Sequence, residues 1–278
     1  MIGLRMQDAA AWSPKVTVVL GQNPGLFTGP GTNTYLVGSG KRPLLLDTGQ
    51  GIESYIPLLR ETCADLRPSD GLQAIVLTHG HVDHIGGVPS VLNAFGGLSV
   101  LKMPWPGHDP ESIAITEIDD GVVVETEGAT LRGIWTPGHA RDHLCFYLEE
   151  EKALFTGDVV LGAGTTVIPD DGDLGDYLSS LRHLLDLDLS VIYPAHGPAI
   201  HRPREKIHEY LAHRELREQQ ILACLREGPS PTMGIVKRVY TDVPEALHFA
   251  AAMSVNAHLR KLQHDGVADR DGEQWHLR

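Results

Sequence analysis

The chain has 278 residues, 42% of them hydrophobic, with a formal net charge of −13 and a pI near 5.5. That composition supports a large core and a small second domain, and so acidic a chain does not attract nucleic acid or anionic membrane through its bulk field. The three cysteines, Cys63, Cys145 and Cys224, are far apart with no CxxC pair, and neither the opening MIGLRMQDAAAW nor any later stretch supplies a long apolar run. No disulfide framework, thiolate metal site or membrane span is indicated, and a cytoplasmic protein is expected.

In chain order, residues 15–20 (KVTVVL) read as a first strand, followed by a Gly- and Pro-rich loop, GQNPGLFTGPGT, of the irregular kind that borders sites. Residues 33–37 alternate as a strand. Residues 43–46 form a buried strand ending in Asp47-Thr48-Gly49. Asp47 fits equally an acid that orients a ligand histidine and a turn-former or helix N-cap. A helix is expected over 52–62, with Ile52, Tyr55, Ile56 and Leu59 on one stripe. Residues 74–77 (AIVL) are short, apolar and β-branched, so a buried strand leads into LTHGHVDHIGG at 77–87. A helix over 87–95 and a strand over 98–102 follow. The segment MPWPGHDP at 103–110 breaks regular structure, leaving His108 a solvated loop histidine.

Residues 121–126 and 129–135 pair as a hairpin whose second strand runs into Thr136-Pro137-Gly138-His139. Strands at 144–148 and 153–155 end in Thr156-Gly157-Asp158, and a strand at 189–193 ends in Pro194-Ala195-His196-Gly197. A helix over 203–226 carries Ile207, Leu211, Leu216, Ile221 and Leu225. After Gly228-Pro229-Ser230-Pro231 come a short helix at 232–240, a helix with Leu247, Ala251, Val255, Leu259 and Leu262 on one face, and two short strands flanking Asp271-Gly272, a strong hairpin signal. Helix, helix, hairpin is a winged-helix-like order. Its basic residues, Lys237, Arg238, Arg260 and Lys261, are mixed with acids, which favours packing or a lid over nucleic-acid binding. Arg202 and Arg204 fit solvated surface better than an anion contact. The expected division is a catalytic domain over 1–202 and a winged-helix-like domain over 203–278.

Four apolar strands thus deliver His or Asp at their C-terminal ends, the way a sheet scaffold assembles a site from distant chain. His79, His81, Asp83 and His84 fall within six positions. One histidine alone reads as solvated, but four ligand-type side chains after a buried strand do not. Imidazole and carboxylate without thiolate suit zinc first, and also iron, manganese or cobalt. His79, His81 and His139 suit one ion, Asp83, His84 and His196 a second, with Asp158 as the bridge. Two such ions would keep a water deprotonated near neutral pH and positioned as a nucleophile.

The motifs HGHVDH at 79–84, TPGH at 136–139, TGD at 156–158 and PAHG at 194–197, with Asp47 in LLLDTG, resemble the metallo-β-lactamase fold superfamily over about residues 15–200. The resemblance implies an α/β fold, an αββα sandwich, and a dinuclear zinc site held by His79, His81, Asp83, His84, His139, Asp158 and His196. Asp158 and the complete HxHxDH resemble the hydrolases of the superfamily rather than its antibiotic lactamases. NPGLFTGPGTNTYLVGSG at 23–40, PGHARDH at 137–143 and the C-terminal segment resemble the lactamase-beta-like protein 2 branch, which includes single-stranded RNA endonucleases and polyketide-releasing thioesterases. That branch gives His143 a catalytic or substrate-contacting role, with a structural hydrogen-bonder as the alternative.

A metal-dependent hydrolase is therefore expected, using a metal-bridging hydroxide with Asp83 as ligand and proton carrier. The preferred substrate is a small acyl compound: a carboxyl ester, thioester or lactone. Cleavage of single-stranded RNA is the alternative. Oligomeric state is left open, a homodimer included.

Overall fold

The computed structural model of the protein describes residues 3–66 and 68–278. The chain resolves into two compact units. The first takes residues up to Thr136, Asp142–Thr165 and Leu187–Arg204. The second takes Pro137–Arg141, Thr166–Asp186 and Glu205–Arg278.

The first unit is built on two sheets. β1 (Ala9–Ala11), β2 (Val16–Leu20), β3 (Asn33–Val37) and β4 (Leu44–Leu46) pair antiparallel in that order. After α1 (Tyr55–Asp65) comes β5 (Ala74–Val76). A short α2 (Val82–Ile85) and α3 (Val88–Phe95) lead to β6 (Ser99–Lys102) and β7 (Ile115–Glu117). β4 to β7 run parallel, so the described residues give one sheet in sequence order, β1 to β7. Period-2 alternation assigns its two faces. Val16, Val18, Tyr35, Val37, Leu44, Leu46 and Val76 point to one side, and Val19, Leu36, Leu45 and Ile75 to the other. The second set is covered by Tyr55 and Leu59 of α1 and Val88 and Val91 of α3.

The first set meets the second sheet: β8 (Val123–Thr126), β9 (Ala129–Trp135), β10 (Leu144–Leu148), β11 (Ala153–Gly157) and, after α4 (Leu174–Leu184), β12 (Val191–Pro194). Leu131, Leu144, Phe146, Leu148 and Phe155 fill the space between the sheets. Each such side chain contributes about 1.5–3 kcal/mol by leaving water, which is why strands of three to five residues hold their register here.

Sequence patterning places most of these elements to within a few residues. It does not show the three-residue strands β1 and β7, and it misses α4. That helix is capped by Asp173, whose side chain accepts from the Asp176 N–H, and it buries Leu174, Tyr177, Leu181 and Leu184 at helical spacing. The helix expected from residue 52 begins at Tyr55.

In the second unit, α5 (Pro203–Arg226) is followed by β13 (Ser230–Pro231), α6 (Thr232–Val239), a 3₁₀ turn at Glu245–Leu247, α7 (His248–His264), β14 (Ala268–Asp271) and β15 (Gln274–Leu277). Ile221, Leu225, Ile235, Val236, Val255, Leu259, Leu262 and Trp275 form its core. Asp271 pairs with Gln274, so the hairpin turn is Gly272-Glu273 rather than Asp271-Gly272. Leu216, expected inward on α5, is 54% exposed. The inward position belongs to Arg214 at 2% exposure.

The polar seam of this unit carries a pH dependence. His258 of α7 is fully buried, with Nδ1 3.7 Å from Glu218 Oε2 of α5. Burial holds its imidazole below the ordinary value. Arg214 and Lys261 push the same way, and Glu218 only partly offsets them. His213 is lowered by burial and Arg214. A depressed folded-state value means that the unfolded chain takes the proton first as pH falls below the usual histidine range. The stability these groups contribute is present above about 6.5 and lost on acidification. Protection factors of the amides in α5 and α7, referenced to the intrinsic exchange rate at each pH, should therefore fall between pH 7.5 and 5.5, and His258→Gln should flatten that difference. Equal protection factors at the two pH values would refute it.

Candidate metal centre

The site residues of the first unit sit where neighbouring parallel strands end. Leu46 pairs with Val76 and Phe155 with Tyr193. Asp47 and Thr78 therefore leave one sheet side by side, and Asp158 and His196 leave the other. The Leu144 N–H donates to Thr78 O at 2.8 Å, tying the two sheets together at this end.

His79 follows the β5 run directly and is fully buried, while His81 is half-buried and caps α2 in an extended conformation. α2 carries Asp83 and His84 on its single turn. The backbone N–H and hydroxyl of Thr48 both donate to His84 O, at 2.9 and 2.6 Å, and hold that turn in place.

Asp47 has φ +58°, a conformation rare for residues other than glycine but one that aspartate enters more readily than most. Its carboxylate accepts from the Thr78 N–H at 2.9 Å, the Thr78 hydroxyl at 2.9 Å and His84 Nδ1–H at 2.8 Å. Of its two readings, the structure shows the acid that orients a histidine. With its own proton on Asp47, the Thr78 oxygen accepts from His79 Nδ1–H at 3.0 Å. Nδ1 of both rings is thereby engaged, and Nε2 is the atom that each ring turns into the site. Thr78 is a positioning residue that sequence patterning did not single out, although it adjoins the motif.

His84 Nε2 is buried without a hydrogen-bond partner, while Asp83 Oδ2 and Asp158 Oδ1 lie 3.5 and 3.6 Å from it. His196 Nε2 is 3.3 Å from Asp83 and 3.1 Å from Asp158. His79 Nε2 and His81 Nδ1 face each other at 3.0 Å. Within this unit, His79, His84 and Asp158 present donor atoms within 4.8 Å of one another, as do Asp83, His84 and His196. Lone pairs and carboxylates gathered this closely repel unless a cation or protons sit among them. An all-nitrogen-and-oxygen donor set with orienting partners fits a divalent metal ion.

The electrostatics agree. Burial alone would push the Asp83 carboxyl up, but His84 and His196 beside it hold it down at about 2. Burial opposes charge on His84, yet Asp83 and Asp47 raise it to about 9. His196 is likewise opposed by burial and lifted to about 10 by Asp158 and Asp83. In the metal-free chain, protons on His84 and His196 balance the carboxylates, and a bound metal would displace them.

Asp158 is aimed by its neighbours. Its N–H donates to His143 Nε2 at 3.2 Å, and His143 Nδ1–H donates to Thr136 Oγ1 at 2.9 Å. His143 is fully buried with both ring nitrogens engaged. Gly157, at φ +47°, packs against that ring: a Cβ there would run into His143 Nε2. Asn33 Nδ2 clamps the loop around His196 by donating to Pro194 O at 2.7 Å and Gly197 O at 2.8 Å. The Gly- and Pro-rich loop does border the site. Asn23 holds Thr32, whose hydroxyl lies 3.4 Å from Asp83 Oδ2.

His139 lies on Pro137–Arg141, part of the second unit, where it is buried and its Nδ1–H donates to Val167 O at 2.8 Å. Its Nε2 is thereby also left as the donor atom.

A buried ion cluster backs the motif, and nothing local in the sequence announces it. Lys102 ends β6 fully buried, with Nζ 2.6 Å from Asp109, 2.5 Å from Asp142 and 2.8 Å from Met103 O. These groups crowd Gly80, whose missing Cβ would lie 3.2 Å from Lys102 Cε and 3.3 Å from Asp142 Oδ2. His108 is exposed, as expected, and its ring stacks on Trp105 with centroids 4.1 Å apart.

Comparison with known proteins gives concordant matches. Residues 27–196 match the metallo-beta-lactamase superfamily and residues 232–275 the beta-lactamase associated winged helix domain. A beta-lactamase-like protein 2 homolog of Caenorhabditis elegans is 42% identical over 263 residues, spanning 92% of this chain and 87% of its own. An atrochrysone carboxyl ACP thioesterase of Aspergillus chevalieri is 42% identical over 251 residues, 86% of this chain and 78% of that one. A metallo-beta-lactamase family protein of Thermus thermophilus superposes with a TM-score of 0.80 at 26% identity, covering 96% of this chain and all of the other. The αββα fold and the C-terminal winged helix expected from the motifs are those of the chain. Among the described residues, no helix is long and apolar enough to cross a membrane.

Proposed function

From the premise that the chain belongs to the metallo-beta-lactamase superfamily, and is thus a metal-dependent hydrolase, we propose that it hydrolyses acyl thioesters at a dinuclear site. The observation that carries this reading is the buried, unpartnered His84 Nε2 between the Asp83 and Asp158 carboxylates. The thioester, among the acyl substrates expected, is favoured by the 42% identity to an ACP thioesterase.

His79, His81 and His139 would hold one ion and Asp83, His84 and His196 the other, with Asp158 shared. Two divalent ions, zinc first, would polarise the substrate carbonyl and acidify a water. The chain's own residues prepare the rest. Asp47 and Thr78 keep protons on Nδ1 of His84 and His79, so that Nε2 stays bare. His143 works as a positioning residue for Asp158, since both its ring nitrogens are committed. Asp83, held ionised, receives the proton that the attacking water gives up and passes it to the leaving sulfur. The balance closes: a C–O bond forms, the C–S bond breaks, and a carboxylic acid and a thiol leave. The proposed compartment is the cytoplasm, which fits three buried cysteines that form no disulfide.

The test is a panel of acyl-N-acetylcysteamine thioesters, lactones and end-labelled single-stranded RNA, given to the zinc-loaded protein and to Asp83→Ala. Thioester turnover should dominate and fall at least about a hundredfold in the variant, the lower end of the range for losing a positioned proton carrier. Cleavage of RNA with no acyl turnover would replace the thioester reading with phosphodiester hydrolysis.

A further inference from the structure

We propose that α5 and α7 of the second unit set the aim of His139, which lies in the same unit. Arg214 of α5 and Arg260 of α7 anchor the loop whose Val167 carbonyl orients that imidazole. The proposal rests on His139 being a metal ligand, as proposed above.

Residues 166–171 contain no helix or strand, so their carbonyls lack helix or sheet partners, although Pro169 O accepts from the Gly172 N–H at 3.1 Å in a turn. Two arginines add donors to this loop. The Arg214 guanidinium donates to Thr166 O, and its Nη1 lies 3.4 Å from Ser254 Oγ of α7. Arg260 Nη2 donates to Pro169 O at 2.8 Å, while Nη1 meets Asp170 Oδ1 at 2.7 Å. Val167 lies between those two anchor points. Its carbonyl is an obligatory acceptor, so the 2.8 Å bond fixes the His139 proton on Nδ1 and leaves Nε2 for a metal. An arginine with 2% exposure is costly to bury unless its donors are used, and Arg214 directs one of them to this loop and another to Ser254 of α7.

A second route runs from the same side chain. Arg214 lies over the Tyr177 ring at 5.4 Å from its centroid. The Tyr177 backbone packs so closely on Gly138, at φ +125°, that no Cβ fits there. On the same segment, Pro137 O accepts from Ser180 Oγ and Gly138 O from the Asp173 N–H, both at 2.8 Å. The segment that carries His139 is therefore moored at its backbone and its ring by other residues of the second unit.

The experiment uses the full-length protein, with zinc affinity measured by chelator competition and the His139 tautomer by nitrogen NMR of labelled histidine. Arg260→Gln should weaken zinc binding about threefold to tenfold, and Arg214→Lys more, towards the 10–100-fold typical of losing a partner that orients a ligand. In both, His139 should lose its single Nδ1–H form. Arg238→Gln is the control. Arg238 bonds Ser230 and Glu227, away from the loop, so its loss should lower Tm without moving affinity or tautomer. Should Arg214→Lys fail to fold, Arg260→Gln decides, because that side chain is 35% exposed. Native affinity and tautomer in Arg260→Gln would overturn the proposal. His139→Ala separates the two readings: if it too keeps native affinity, the ligand assignment is what fails. If it loses zinc while the arginine variants do not, the mooring is what fails.

Discussion

Asp158→Asn should cost about a thousandfold or more in turnover, equivalent to about 4 kcal/mol of transition-state stabilisation, and should leave the protein short of its full metal complement. The substitution keeps the volume, so packing against Gly157 and His143 survives. What changes is charge and donor sense. Oδ1 of Asp158 lies 3.1 Å from His196 Nε2 and 3.6 Å from His84 Nε2, the only carboxylate besides Asp83 that reaches both rings within 4 Å among the described residues. An amide there carries no charge, and its NH2 cannot coordinate a metal ion. Elemental analysis should show fewer than two ions per chain, with unchanged circular dichroism because the carboxylate sits on a loop after β11. Full turnover with two bound ions would exclude a shared role for Asp158. Asp158→Glu should not restore activity, because the extra methylene displaces the oxygen from both rings.

That experiment bears on how the site was readable from the chain. Most of the ligand-type residues were legible because they follow a short apolar run, and an apolar run of three to six residues is what a strand buried on both faces looks like; His139 instead follows the half-exposed β9 by a Thr-Pro-Gly turn. Parallel pairing then brings the strand ends together, so Asp47 meets Thr78 and Asp158 meets His196 with no long-range information needed beyond strand order. What was not legible is everything that depends on a partner far along the chain. Val167 lies 28 residues beyond His139 and in a loop without pattern. Arg214 occupies an inward position of α5 that an apolar stripe assigns to leucines. The reason is chemical rather than periodic: the loop it serves has carbonyls to satisfy. Helix α4 was hidden for a different reason. Its stripe is regular, but Gly175 and the preceding PDDGD give its start the composition of a loop.

Lys102 is the extreme of that kind, and its removal should cost about 3–5 kcal/mol of stability in Lys102→Met. The run SVLK reads as a strand with a solvated terminal lysine, yet the side chain is fully buried. Its ammonium is 2.6 Å from Asp109 and 2.5 Å from Asp142, contributed by residues seven and forty positions later. Burial pushes the Asp142 carboxyl up and Lys102 only partly brings it back. Methionine matches the length of lysine but leaves two carboxylates facing each other without a cation, and that uncompensated charge is the source of the cost, not lost packing. Denaturant melts of the metal-free protein should show the midpoint fall with the slope unchanged. The combined variant Lys102→Met, Asp109→Asn, Asp142→Asn should recover most of the loss, since it removes the charges together; a combined variant no more stable than Lys102→Met would show that the cluster acts through shape instead. Because these groups press on Gly80, between His79 and His81, Lys102→Met should also weaken zinc binding. The combined variant should recover stability more fully than it recovers affinity, for the asparagines restore neutrality but not the short contacts that hold the loop. A Lys102→Met protein within about 1 kcal/mol of the parent would mean that water reaches these carboxylates and the burial argument fails.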